Sequence, residues 1–509
     1  MTDKLSARWA GLTGWRGTLL DFSLGALAAL SLNPAGIIPA SLCFCFLFWR
    51  ISTATNLWQA GWRSWMGATG WFTCSLYWIS HSLFIGEAAF LFMLPFSVFG
   101  LPLFLALFWA AAASLSYRIG RQAEQRLIAL AALLAVAELA RGTLFTGFPW
   151  NAPGQMVLAA GFLAQSYGFV GQYGVNLAVF AGLTGLVFIW RRQIMLAGLS
   201  AGPLLILMGL SALHWTNIPS IEAVQDGRPL ARLVQPNIDQ DEKWKAAARP
   251  EHLQILQNLS RAEFPVPQFM IWPETAIAGQ LPYETDLAQQ MARRTAAFDG
   301  VLLTGILQLD EANRLYNVAS MLDGRGAFLG IRAKSHLVPF GEYVPARQIP
   351  FIDAIAGPID FSAGQSNQIF YLDGLGPVQV LICHEIIFPG FISDWQRPSV
   401  IVNITNDSWF GQTAGPYQHL EQARARAIEE GLPVLRVSNN GISAAIDPYG
   451  RILGQIPLGH RGALDVPVAA ALAPTFYAEN RWLGLIAGLI WLGLLAFFVD
   501  LGRQNRQNN

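Results

Sequence analysis

Charge is scarce in this chain. Lys, Arg, Asp and Glu supply 13% of 509 residues, about half the share of an average globular domain, while 53% are hydrophobic. So few charges exclude a protein with an entirely water-facing surface, and the long apolar stretches point to a membrane. Cysteine is also rare. Cys43, Cys45 and Cys74 fall in apolar stretches that read as spans, where a thiol serves as small apolar filler. Cys383 is alone in the polar part of the chain, which excludes a disulfide there. Clusters of Lys and Arg are missing, and with them the electrostatic footprint of a nucleic-acid partner. There is no internal repeat, Gly-rich phosphate loop or set of histidines at metal-ligand spacing; His252, His336, His384, His419 and His460 are scattered.

The charge that exists is unevenly spread. Residues 216–480 hold 19 bases and 27 acids, a net of about −8. This predicts a soluble domain, long enough to bury one sizeable core, set between a membrane domain (1–215) and a C-terminal span with its tail (481–509). Seven spans are expected before it, near 18–32, 35–50, 62–83, 88–116, 127–142, 157–190 and 193–214, and one after it, near 482–501. Asn33–Pro34 suggests a tight hairpin between the first two. Polar Gln165, Ser166, Gln172 and Asn176 leave 157–190 open to a second reading, a re-entrant piece plus a span. The first apolar segment follows a basic leader, but further spans come directly after it, so it reads as an anchor and not as a cleaved signal.

Orientation follows from the basic residues. With the N-terminus inside, twelve Lys/Arg collect on the cytoplasmic side, and only Arg141 and Arg481 face the other side. The expectation is a multi-pass protein with both termini cytoplasmic and its soluble domain outside, in the periplasm of a bacterium with two membranes.

The soluble part reads as an α/β fold. Short β-branched runs at 231–238, 269–274, 301–307, 378–383, 399–405, 433–439 and 442–448 alternate with helical patterns such as 249–263, 284–298 and 416–431. Several runs end directly in polar residues: Glu274, Cys383, Asn406–Asp407 and Asn439–Asn440. Ligand sites in such folds gather at the carboxyl ends of strands, so these residues could share one rim.

A cysteine nucleophile needs a base to take its proton and a cation for the oxyanion that follows. His384 is adjacent, but successive strand side chains point to opposite faces, which argues against it as the base. Glu274, in IWPETAIAG, and Lys334, in IRAKSHLVPFGEYVP, are better placed by sequence; Glu342 lies inside the second stretch. A Glu base, a Lys cation and a Cys nucleophile suffice for acyl transfer. Glu138 and Arg141, one turn apart near a span end, read as a structural pair. Asn403, Asn406 and Asn439 read as strand-end hydrogen-bonders.

These stretches, with TGFPWN (146–151), VQPNI…KW (234–244), WPET (272–275), ICHEIIFP (382–389), NITNDSWFG (403–411) and RAIEEGLPVLRVSNNGISAAIDPYG (426–450), resemble the carbon–nitrogen hydrolase (nitrilase) superfamily. With the spans around them they resemble, more narrowly, the apolipoprotein N-acyltransferase family of bacterial inner membranes. The chain departs from that family's common pattern at His384, where many members have Tyr, and at Ser408, where Ala is common. The resemblance implies a nitrilase-like α/β/β/α sandwich. It also implies an acyl donor phospholipid, such as phosphatidylethanolamine, cleaved at its sn-1 ester, and an acceptor apolipoprotein whose N-terminal diacylglyceryl-cysteine is N-acylated through a Cys383 thioester. Glu274 would be the base and Lys334 the oxyanion cation, with Glu342 and Glu385 in support and Trp244 at a position important in the family. No metal or other cofactor is implied, and a monomer suffices. His384 beside the nucleophile, and Phe340, Tyr343, Trp409 and Phe410 in Gly/Pro-punctuated stretches, are candidate substrate contacts facing the outer leaflet. The alternatives are a membrane-tethered amidase of the same superfamily and a catalytically inactive scaffold or transporter.

Overall fold

The computed structural model describes residues 9, 11–85, 88–261, 266–279, 289–291, 300–345, 360–365, 368–392 and 395–507. Among the described residues, seven long helices come first: Gly14–Ala28, Leu42–Ser52, Leu57–Leu76, Leu101–Ile119, Ala123–Thr143, Ser166–Trp190 and Ile194–Trp215. An eighth, Leu483–Gln507, follows the strands. Four segments among the described residues are long and apolar enough to cross a bilayer: Leu91–Ile119, Gly161–Trp190, Ile194–Trp215 and Leu483–Leu501.

The remaining expected spans are helical but deviate for identifiable reasons. Leu42–Ser52 has only 11 residues, and Leu57–Leu76 and Ala123–Thr143 carry charged side chains, Arg63 in one and Glu138 with Arg141 in the other. Those charges are satisfied inside the bundle, as burial demands. Arg50 meets Asp21 at 2.6 Å. Glu138 meets Arg141 at 2.5 Å, and Arg141 also donates to the carbonyls of Phe148 and Trp150, so this pair fixes the TGFPWN turn to its helix. A tight turn, closed by the Gly36 N–H on the Leu32 carbonyl (2.9 Å), separates the first two helices. Residues 157–190 are not one straight span: 3₁₀ turns Pro153–Ala159 and Gly161–Gln165 lead into a helix broken at Gly171, where φ is 62°.

Among the described residues, twelve strands form two sheets. The first runs β12–β1–β2–β3–β4–β5, the second β11–β10–β9–β8–β7–β6. The strands are β1 Leu230–Gln235, β2 Phe269–Ile271, β3 Val301–Leu309, β4 Leu315–Leu322, β5 Phe328–Ala333, β6 Ile369–Leu372, β7 Gly376–Ile382, β8 Val400–Thr405, β9 Val434–Ser438, β10 Ser443–Ile446, β11 Ile452–Ile456 and β12 Gly462–Pro467. β1, β2 and β3 are mutually parallel, as are β7, β8 and β9. The expected runs correspond to β1–β3 and β7–β10, while β4, β5, β6, β11 and β12 were not anticipated. Most of the expected helix 284–298 lies outside the described residues.

Period-two alternation makes the layers. On β7, Val378, Val380 and Ile382 face the first sheet, packing with Leu233, Ile271, Leu303 and Met321. The outer face of the first sheet (Met270, Trp272, Leu302, Ile306) is covered by Leu253 and Leu256 of helix Arg249–Leu259. The outer face of the second (Ile401, Val434, Ala444) is covered by helix Ala414–Glu430. The result is the α/β/β/α sandwich. That last helix also shares its hydrophobic cluster with the membrane helices, so Trp78, Trp150 and Tyr167 pack in one continuous core with Ala423, Ala427 and Ile428.

Candidate active site

The parallel strands of both sheets end at one rim. There the end of β1 meets the end of β9, with the Asn237 N–H on the Asn439 carbonyl (2.8 Å) and the Asn439 side chain on the Ile238 carbonyl (2.8 Å).

Cys383 follows β7 directly. Its φ of 55° is a left-handed conformation that costs a non-glycine residue about 1–3 kcal/mol and turns the chain into the 3₁₀ segment Cys383–Ile387. Strand alternation therefore stops at Ile382, and the sequence argument about His384 does not apply. His384 is buried instead against His336 and Phe388, with ring centroids at 5.3 and 5.6 Å and neither nitrogen hydrogen-bonded. Burial, with Lys334 nearby, holds this imidazole neutral well below the usual histidine range. It is not a cation for the thiol.

Glu385 holds the Cys383 turn in place. Its carboxylate accepts from the N–H groups of Ile382 (2.7 Å), Ser335 (2.8 Å) and His336 (3.2 Å) and pairs with Arg332 at 2.7 Å. Both members of the pair are fully buried. Burial opposes the charge on Glu385, but Arg332 outweighs it and keeps the carboxyl below its ordinary value. The ion-pair partner of this supporting carboxylate is Arg332. Asn403 supports the same turn, donating to the carbonyls of Leu381 and Cys383 at 3.1 Å each.

Glu274 sits just past β2 in a loop bonded to β3. The Gly305 N–H donates to the Pro273 carbonyl (3.1 Å), and the Gly305 carbonyl accepts from the Ala276 N–H (2.9 Å). A Cβ at Gly305 would fall 2.5 Å from the Glu274 Cα, so this approach requires glycine. The Glu274 carboxylate accepts from Asn317 Nδ2 at 2.7 Å and lies 3.8 Å from Lys334 Nζ. Lys334 is closer to Glu342, at 2.7 Å, whose other oxygen accepts from the Val338 N–H at 2.9 Å. Glu342 thereby ties Lys334 to the turn that carries Phe340.

Burial and two opposite charges set the electrostatics around the thiol. Burial pushes the Cys383 thiol up to about 12; Glu274 adds to this and Lys334 opposes it, so the resting sulfur carries its proton. Burial also raises the Glu274 carboxyl, against the pull of Lys334, which makes it a better proton acceptor than an exposed glutamate. Burial disfavours the charge on Lys334, but Glu342 and Glu274 outweigh it, so the ammonium is fully charged. Beneath Cys383, Arg436 pairs with Asp407 at 2.6 Å and Asp407 meets His419 at 2.9 Å, forming a rigid buried floor.

The aromatic candidates divide. Phe340 is 72% exposed, Trp244 48% and Trp409 43%, and Tyr343 is half-buried on the same turn as Phe340. Phe410 departs from the expectation. It packs at 4.5 Å on Trp78 and 5.7 Å on Trp150, and so joins the two-sheet region to the N-terminal helices in place of lining an open rim. Lys243, Asn317 and Arg332 were missed by the sequence reading. Lys243 lies in the quoted VQPNI…KW stretch, which was a usable signal; Asn317 and Arg332 sit on β4 and β5, which were not recognised as strands.

The layered sheets and the Cys, Glu and Lys at their rim define a carbon–nitrogen hydrolase, and residues 230–474 match the family model of that description. Residues 24–185 match the "Apolipoprotein N-acyltransferase N-terminal domain". An apolipoprotein N-acyltransferase of Rhizobium rhizogenes is 34% identical, over 99% of this chain and 100% of that one. Those of Allorhizobium ampelinum (36% identical, 97% and 99%) and Brucella suis (36% identical, 98% of each) are similarly related. The chain belongs to the apolipoprotein N-acyltransferase family and is an acyltransferase, with helices fit to lie in a membrane.

Proposed function

We propose that the chain N-acylates the terminal diacylglyceryl-cysteine of lipoproteins, taking the acyl group from a phospholipid through a thioester on Cys383. The observation that supports this most directly is the company of that thiol: a protonated sulfur at the end of β7, with Glu274 and Lys334 as the principal charges acting on it. In the first stage Glu274 takes the thiol proton as sulfur attacks the sn-1 ester carbonyl. Lys334 faces the resulting oxyanion. The tetrahedral intermediate then breaks its carbon–oxygen bond, and the lysophospholipid leaves with the proton from Glu274. In the second stage the α-amino nitrogen attacks the thioester and gives a proton to Glu274. The carbon–sulfur bond breaks, and Cys383 leaves as a thiol. Amide is more stable than thioester, so this stage runs downhill.

Both substrates are bilayer-bound, which suits a site at the outer leaflet. The excess of basic residues on the opposite side supports a periplasmic soluble domain with both termini cytoplasmic. Exposed Phe340, Trp244 and Trp409 are suited to acyl-chain contact. Nothing in the chemistry asks for more than a monomer.

The test is intact-mass analysis of the detergent-solubilised protein after incubation with phosphatidylethanolamine. An added acyl mass on Cys383, discharged by a diacylglyceryl lipopeptide, is expected. A fully active Cys383→Ser enzyme would sink the proposal, and an adduct that only water discharges would point to a lipase.

A further inference from the structure

Lys243 ends a short helix, Gln240–Lys243, in an acidic run that reads as a solvated surface. Its neighbours behave that way: Asp239, Asp241 and Glu242 are exposed, and Glu242 is paired with Lys245 at 2.5 Å. Lys243 does not. It is 1% exposed, and among the described residues its Nζ makes one hydrogen bond, to the carbonyl of Glu274 at 3.3 Å. Among the described residues no carboxylate lies within ion-pair distance of it. An ammonium has three donors to satisfy, and a buried charge with one neutral partner is costly to keep.

The surrounding charges explain what it balances. Glu274 and Glu342 both face Lys334, so one cation is shared by two carboxylates. The other charges near Cys383 are already matched: Glu385 by Arg332, and Asp407 by Arg436, while His419, held neutral by burial, only hydrogen-bonds to Asp407. His336 and His384 are held neutral, chiefly by burial. Burial lowers Lys243 to about 8, and among these groups the charge that opposes the fall is Glu274.

We infer that Lys243 is a positioning residue for acyl transfer: its ammonium anchors the Glu274 backbone and supplies the second cation that keeps the Glu274 carboxylate ionised beside Glu342. The inference rests on the thioester reading above and adds a residue to it. Removing the charge raises the proton affinity of Glu274, so the base stays protonated to a higher pH and acylation loses its low-pH activity.

The experiment follows single-turnover acylation of Cys383 by phosphatidylethanolamine, without acceptor, across pH. It uses the full-length enzyme, Lys243→Arg, Lys243→Gln and Lys243→Met, each with its thermal stability measured. In Lys243→Met and Lys243→Gln the acid limb should move up by roughly one pH unit, the low end of what a close opposite charge does to a carboxylate. The KM for phospholipid should be unchanged. Lys243→Arg should restore the wild-type limb. Gln keeps a donor for the Glu274 carbonyl without the charge, so it remains informative if Met does not fold. A wild-type limb in Lys243→Gln overturns the inference, whatever the overall rate. Absence of acyl-Cys383 in the unaltered enzyme instead overturns the thioester reading itself.

Discussion

Arg332 and Lys334 leave the end of β5 as near neighbours, yet they enter very different ion pairs. Arg332 meets a single carboxylate, Glu385, at 2.7 Å, and that carboxylate also accepts from three backbone N–H groups. Lys334 is divided between Glu342 at 2.7 Å and Glu274 at 3.8 Å, and one of those carboxylates has its proton affinity raised. The first arrangement fixes geometry. The second leaves a carboxylate and a cation whose protons and charges are free to rearrange. A buried ion pair can thus be either a fastener or a working part, and the number of further donors its carboxylate holds tells which.

Substitutions can break this contrast, beginning at the sulfur both systems serve. Cys383→Ala should abolish acyl adduct and transfer altogether, seen by intact mass and by lipopeptide acylation. Glu274→Gln should slow acylation on the order of 10²–10⁴-fold, the usual contribution of a positioned base, with little change in thermal stability. Because the Glu274 carboxyl is raised, the unaltered enzyme should lose activity with falling pH sooner than an ordinary glutamate would dictate; a limb at the ordinary value would show that Glu274 is not the base. Arg332→Met should reverse the pattern. It strands Glu385 in the interior and should cost about 3–5 kcal/mol of stability by denaturant or thermal unfolding, with activity lost only through misfolding. Equal stability losses in Arg332→Met and Lys334→Met would erase the distinction, since the carboxylates around Lys334 can relieve its loss by taking up a proton. The smallest effect is expected from Phe340→Ala, a few-fold rise in phospholipid KM from the loss of one exposed aromatic contact.

Much of this was legible in the chain. Glu274, Cys383, Asn406 and Asn439 each follow a β-branched run, and the structure does gather strand ends at one rim. The central parallel strands were readable because burial on both faces leaves continuous apolar runs. β4, β5, β11 and β12 were not, because their residues mix: Gly330 and Arg332 interrupt β5, and β12 ends in Pro467 after Asp465. Such strands depend on neighbours distant in sequence. The same reason hid Lys243, which looks like one more surface charge until the Glu274 loop is laid across it. Phe410 was misjudged because its partners, Trp78 and Trp150, belong to the membrane half, and no local pattern announces a contact between halves. The tight turn at Cys383 was equally invisible, since no glycine marks it.

Helix Ala414–Glu430 has a further implication. It has a sheet on one side and membrane helices on the other, and most of its residues are out of contact with solvent. The catalytic half therefore has no complete outer wall of its own. Excised as a freestanding module it would present that helix raw to water, so a soluble version of this enzyme calls for a redesigned surface there and not merely for new chain ends.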